Sequence, residues 1–177
     1  MRLLICYAST EGQTRKICRF CCDQLIAQGH SVEMITAGDA AEIEVSVFDA
    51  AILAGSVHIG KIQSDLAAFA KENCATLNAM PSIYLQVSLA AAGDDADDQA
   101  ELGRIASDFC DGAGWAPQSV YQIAGAFRFT QYDFFRSWTM RYIAAQRGQK
   151  VMPNEDTEYT DWQALADLMH GWPLASG

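Results

Sequence analysis

Short apolar runs alternate along the chain with segments whose apolar residues recur every three to four positions. "RLLICY" (2–7), "SVEMIT" (31–36), "AAILAG" (50–55), "SIYLQVS" (82–88) and "SVYQIAGA" (119–126) read as strands. The third is almost wholly apolar, as expected of a strand covered on both faces. Between them, "TRKICRFCCDQLIAQ" (14–28) reads as a helix stopped by Gly29, "QSDLAAFAKENCATLN" (63–78) as a helix ended before Pro81, and a third helix falls near 96–110. A last helix, "TDWQALADLMHG" (160–171), is expected to open on Thr160 as N-cap and to close at Gly171. Strands alternating with helices imply right-handed crossovers and a parallel sheet. The predicted fold is therefore α/β, a doubly wound five-stranded parallel sheet with helices on both faces. Ligands of such sheets sit beyond the carboxyl ends of the strands at the topological switch point, which selects three loops, 8–14, 56–62 and 88–97.

Composition narrows the picture. A chain of 177 residues, half of them hydrophobic, suffices for one buried core and is short for two, so a single domain over 1–177 is expected. The formal net charge of −10 argues against a nucleic-acid partner, because phosphate affinity comes chiefly from Lys and Arg. The apolar run at the N-terminus stops at Ser9 and Thr10 without a cleavage-like region, and no window approaches the roughly 20 apolar residues that cross a bilayer. A cytoplasmic protein is expected, one that meets a membrane from one side if at all. Six cysteines in such a chain read as reduced thiols. Cys18 and Cys21 form a lone C-x-x-C with no second pair and no suitably spaced His. A redox or metal pair and a buried helix face are the two readings, and the second is preferred because Cys is among the most buried residue types. No metal site is expected.

The first loop carries candidate chemistry. After the first strand, "STEGQT" supplies Ser9, Thr10, Glu11, Gly12, Gln13 and Thr14 before the helix begins. Backbone N–H groups at a helix N-terminus bind a phosphate without a formal positive charge, hydroxyls add donors, and a glycine lets the chain curl round the anion. The chain contains neither a Walker loop nor a G-x-G-x-x-G fingerprint. One terminal phosphate held by hydroxyls and amides is what remains, beside the plainer reading of a helix capped by Ser9 or Thr10.

"STEGQT" is similar to the T/S-x-T-G-x-T phosphate loop of flavodoxins, in the same place between first strand and first helix. The resemblance implies a flavodoxin-like fold and flavin mononucleotide (FMN) as cofactor. "AGSVHIGKI" resembles the stretch that lines one side of the isoalloxazine, which implies contacts from Ser56, Val57, His58, Ile59 and Gly60. "QVSLAAAGDD" stands where the loop on the other side does, which implies Ser88, Leu89, Ala90 and Ala91. Further on, "LNAMPSIYLQVSLAA", "IAGAFRFTQYDFFRSWTMRYI" and "YTDWQALA" look like the flavodoxin-type, quinone-dependent protoporphyrinogen IX dehydrogenases of bacterial haem synthesis. That resemblance implies oxidation of protoporphyrinogen IX to protoporphyrin IX, with menaquinone or ubiquinone as acceptor and the cytoplasmic face of the inner membrane as the place of exchange. A one-electron carrier docking through its acidic surface and a NAD(P)H:quinone reductase are the alternatives. His58 and Ile59 stand where many flavodoxins place a Trp, and Leu89 replaces a frequent aromatic, which would leave a flavin face open to a flat substrate. His58 is also a candidate proton carrier, since an unperturbed imidazole titrates near pH ~6.5.

Between the last strand and the last helix lies an insertion, about 127–158, where such connections usually need about two to six residues. It is rich in aromatic residues and carries Arg128, Arg136, Arg141, Arg147 and Lys150 against Asp133 alone through position 150. Read as a helix over 131–147, it puts Phe135, Trp138 and Tyr142 on one face and most of its arginines off it. This suits an interfacial helix, with cations toward anionic lipid or propionates, and the alternative is a core helix with solvated arginines. Under the family resemblance, Arg128, Arg136 and Arg141 meet the substrate's propionates while Phe135 and Trp138 face the macrocycle or the membrane.

Overall fold

The computed structural model describes residues 1–127 and 157–173. The expected interfacial helix, with Arg128, Phe135, Arg136, Trp138 and Arg141, lies outside the described residues. Five parallel strands, β1 (Arg2–Ala8), β2 (Ser31–Thr36), β3 (Ala50–Ser56), β4 (Ser82–Ser88) and β5 (Ser119–Ala124), form one sheet in the order β2-β1-β3-β4-β5. The order reverses between β1 and β3, the switch point of the doubly wound arrangement. The register sets Ala8 opposite Gly55, Gly55 opposite Gln86 and Ser88 opposite Ala124, so four strands end close to level and their following loops meet along one edge.

Both faces of the sheet are covered, which is why its central strands carry no polar alternation. Leu3, Ile5, Ile52, Ile83 and Leu85 pack with Ile17, Cys18, Cys21 and Leu25 of α1 (Gln13–Ala27) and with Leu165 and Met169 of the C-terminal helix. Leu4, Cys6, Leu53 and Tyr84 face the other way, against Leu66 and Phe69 of α2 (Ser64–Glu72), Leu77 of α3 (Cys74–Asn78) and Phe109 of α4 (Ala96–Ala113). The C-terminal helix, α5, spans Trp162–Gly171.

Three boundaries differ from the sequence reading, each for a local reason. The helix expected over 63–78 is two helices divided at Asn73, whose side-chain amide donates to the Phe69 carbonyl at 2.9 Å and competes with the backbone ladder. The last helix is capped by Asp161, whose carboxylate accepts from Ala164 N–H at 2.9 Å, and Thr160 is used elsewhere. The fifth strand stops at Ala124. After Gly125 the chain turns out of the sheet as β6 (Ala126–Phe127), antiparallel to β7 (Thr157–Glu158), with Ala126 opposite Glu158.

The C-x-x-C reading resolves on α1. Cys18 and Cys21 are fully buried on its core face. Burial pushes the Cys18 thiol well above its usual range, with the neighbouring Cys21, Cys6 and Cys22 adding to the effect. Burial likewise raises Cys21 to about 12. Redox and metal chemistry need the thiolate, so these are packing residues.

Candidate functional site

At the end of β1 the chain bends through Ser9–Gly12 into α1. Gly12 occupies the N-cap in the left-handed region, φ +85°, where a side chain would be strained. No side chain caps α1, so the plainer alternative, a helix capped by Ser9 or Thr10, does not hold. Ser9 serves the bend instead: its Oγ accepts from Gly12 N–H at 3.0 Å, which leaves its own proton for another acceptor. The first intrahelical bond returns from Lys16 N–H to Gly12 O at 3.0 Å, so the N–H groups of Gln13, Thr14 and Arg15 precede the ladder and open onto the loop. Thr14 is 1% exposed, and its hydroxyl has no hydrogen-bond partner among the described residues. A buried donor without an acceptor, beside uncapped amides at the positive end of a helix dipole, is the chemistry of an anion site.

Gln63 was not singled out in the sequence, yet it joins two of the three loops. Its Nε2 donates to Thr10 Oγ1 at 3.1 Å and also to Ser56 Oγ, linking the first loop to the end of β3. A separation of 53 residues leaves no local pattern that would betray the first of these bonds. After Ser56, Val57 N–H still reaches Val87 O at 2.8 Å, and the chain then makes a tight hairpin in which His58 N–H donates to Lys61 O at 2.8 Å and Lys61 N–H to His58 O at 3.1 Å. Its two central residues, Ile59 at φ +49° and Gly60 at φ +69°, both lie in the left-handed region, the geometry of a type I′ turn. Such turns favour Asn-Gly, and an isoleucine there is strained while its side chain is 69% exposed.

The third loop follows β4. Ser88 is buried and its Oγ accepts from Ala91 N–H at 3.1 Å, which starts a short turn through Ala90–Ala92 with Leu89 part-buried. Gln99 of α4 holds the turn from behind, its amide donating to Gly93 O at 2.8 Å. Asp95 caps α4 by accepting from the N–H groups of Asp97 and Asp98. The three loops selected from the sequence therefore lie on neighbouring strands at one edge of the sheet, which brings Ser9–Thr14, Ser56–Gly60 and Ser88–Ala91 together there.

The returning stem of the insertion docks on the same edge. Lys16 Nζ meets Glu158 Oε2 at 2.5 Å and lies 5.1 Å from the Trp162 ring centre, while Trp162 Nε1–H donates to Glu158 Oε1 at 2.6 Å. Partial burial works to raise the Glu158 carboxyl, but hydrogen bonds from Lys16 and Trp162 outweigh it and the net shift is downward. The lysine in the first turn of α1 is thus engaged by a carboxylate rather than held for the loop.

A family profile described as "Flavodoxin domain" matches residues 4–154. The chain is 25% identical over 168 residues to the protoporphyrinogen IX dehydrogenase [quinone] of Escherichia coli, covering 95% of this chain and 92% of that one. It is also 25% identical over 165 residues to the protein of the same name from Leishmania major, covering 93% and 71%. Among solved structures, a flavodoxin mutant from Pseudomonas aeruginosa matches with a TM-score of 0.53 at 16% identity over 84% of this chain and 100% of that one. Oxidised Flavodoxin 2 from Bacillus cereus matches with a TM-score of 0.51 at 21% identity, over 70% and 86%. These two show a common fold, and the resemblance drawn from the sequence motifs stands.

Proposed function

The chain belongs to the flavodoxin domain family, and from that premise we propose that it is an FMN-dependent oxidoreductase that oxidises protoporphyrinogen IX and delivers the electrons to a quinone. The observation that carries this reading is the extent of the likeness to the Escherichia coli relative. Its 168 aligned residues, out of 177, are too many to leave out the 29-residue segment 128–156, which an electron carrier has no need of. In the balance of the reaction, each hydride and proton taken from the porphyrinogen reduces one quinone to its quinol.

FMN, when bound, supplies the hydride acceptance and electron release. The chain's own residues bind and orient it. The hydroxyls of Thr14 and Ser9 and the amides at the start of α1 would take the phosphate, which accounts for the buried, unpartnered Thr14 donor. The turn at Ile59–Gly60 and the loop Leu89–Ala91 would flank the flat ring, and Gln63 would keep the phosphate and ring ends of the site in register by tying Thr10 to Ser56. Arg128, Arg136 and Arg141 would meet the propionates and anionic lipid, so that the protein works peripherally at the cytoplasmic face of the inner membrane. His58, in the turn that would flank the ring, is the candidate for proton movement.

A second reading, a one-electron carrier, draws on the net charge of −10 and on Asp94, Asp95 and Asp97 exposed beside the third loop, which suit docking on a basic partner. One experiment separates them. Protein reconstituted with FMN is given protoporphyrinogen IX and a menaquinone analogue without oxygen. Quinone-dependent formation of protoporphyrin is expected; a flavin-loaded protein without it would be the carrier. Stoichiometric FAD after acid release would overturn the phosphate site itself.

A further inference from the structure

Gln13, at the first position of α1, is 6% exposed and makes an unusual connection. Its Nε2 donates to Thr160 Oγ1 at 3.0 Å, across 147 residues of sequence. The Thr160 hydroxyl in turn donates to Ala124 O at 2.7 Å. A hydroxyl has one proton, and this one is spent on the carbonyl at the end of β5, so Thr160 Oγ1 faces Gln13 as an acceptor. The carboxamide then has only one acceptable rotation. Turned over, Gln13 Oε1 would confront Thr160 Oγ1, two acceptors with no proton between them. In the observed rotation Oε1 is buried and has no hydrogen-bond partner among the described residues.

Two buried, unsatisfied atoms thus sit in the first turn of α1, with opposite needs. Thr14 Oγ1 has a proton to give, which an anion satisfies. Gln13 Oε1 requires a proton, which a fully ionised phosphate does not offer but a hydroxyl does. We propose that Thr160 is a positioning residue: with its own proton spent on Ala124, it locks the Gln13 carboxamide so that the amide oxygen is left to accept from a hydroxyl beside the phosphate. The inference rests on the reading of α1 as the phosphate end of a flavin site and adds to it the part played by the far end of the chain. Thr160 stands two residues beyond β7, so the same contact fixes the returning stem of the insertion against the cofactor loop. The carboxamide also contributes to holding the Glu158 carboxyl low, in keeping with an N–H face directed at that stem.

The test compares FMN with an analogue whose side-chain hydroxyls are replaced by hydrogen while the phosphate is kept. Binding to apoprotein is followed by flavin fluorescence for the wild type, Thr160→Val, Thr160→Ser and Gln13→Leu. Wild type and Thr160→Ser should bind FMN alike and more tightly than the analogue. Thr160→Val and Gln13→Leu should each weaken FMN about fivefold, the net worth of about one hydrogen bond, and leave the analogue unchanged. If the Thr160→Val and Gln13→Leu variants weaken both flavins equally, or neither, the inference is overturned and Thr160 only holds the fold. Failure of the wild type to bind FMN would overturn the flavin reading itself, together with this inference.

Discussion

Gly55 stands at the end of β3 on the switch-point edge, and the space around it accepts no side chain. A Cβ there would lie 2.7 Å from Leu66 Cδ2 and 3.0 Å from Ile62 Cγ2, so Gly55→Ala has to push aside both side chains. Overpacking of this kind costs about 1–3 kcal/mol, and a drop of that size in stability by urea unfolding is expected, with FMN affinity falling as the second loop shifts. Ile59 presents the opposite case. At φ +49° with Gly60 beside it, the turn favours asparagine, and Ile59→Asn should raise the stability of the apoprotein by about 1 kcal/mol in the same assay. A loss instead would mean that the exposed isoleucine is held by contacts that offset its backbone strain. Neither effect is legible in the sequence, since both depend on what the folded chain brings near one backbone position.

At the scale of elements, α1 and the short pair β6–β7 are joined by Lys16, Glu158 and Trp162. The folded-state pKa of Glu158 lies below its ordinary value, so the contribution of the ion pair is complete above that ordinary value and is lost as pH falls through the lowered one. Comparing unfolding of the wild type and Glu158→Gln across pH should give a difference that is largest near neutrality and disappears in acid. Its size should stay below about 1 kcal/mol, because the lysine side chain is 55% exposed and solvent screens the pair. A difference that persists at acid pH would show that the effect does not come from the ionised carboxylate. The elements of the sheet were legible from periodicity because each is selected by its own apolar spacing. The division of α2 from α3 and the departure of β6 were not, as they turn on one asparagine amide and on pairing with a strand that lies across the insertion.

For the whole molecule, the register of β6 and β7 makes a specific experiment possible. Phe127 is opposite Thr157, so joining them through an Asn-Gly turn in place of 128–156 closes a hairpin without moving either strand. The five strands, the helices that cover them and all three loops are formed by residues outside that segment, so the shortened protein should fold and retain FMN. Protoporphyrinogen turnover and salt-sensitive binding to anionic liposomes should be lost. Loss of FMN and of the cooperative unfolding transition would show that the aromatic face of the insertion belongs to the core; full turnover would show that it has no part in the activity.

The sequence by itself determined the class of fold, the order of its elements and the edge on which a ligand could bind. Those follow from hydrophobic spacing and from the rules of parallel crossovers, which act over a few residues at a time. It also marked Ser9, Gly12 and Thr14 as the makings of an anion loop, because hydroxyls and a glycine before a helix are themselves a local pattern. Only the tertiary structure decided which atoms of that loop are satisfied. The proton of Thr160 goes to Ala124, Gln13 is turned as a consequence, Lys16 is taken by Glu158, and Gln63 bridges two strands. Hydrogen bonds of this kind depend on atoms brought within about 3 Å from distant parts of the chain, and no spacing along the sequence encodes that proximity.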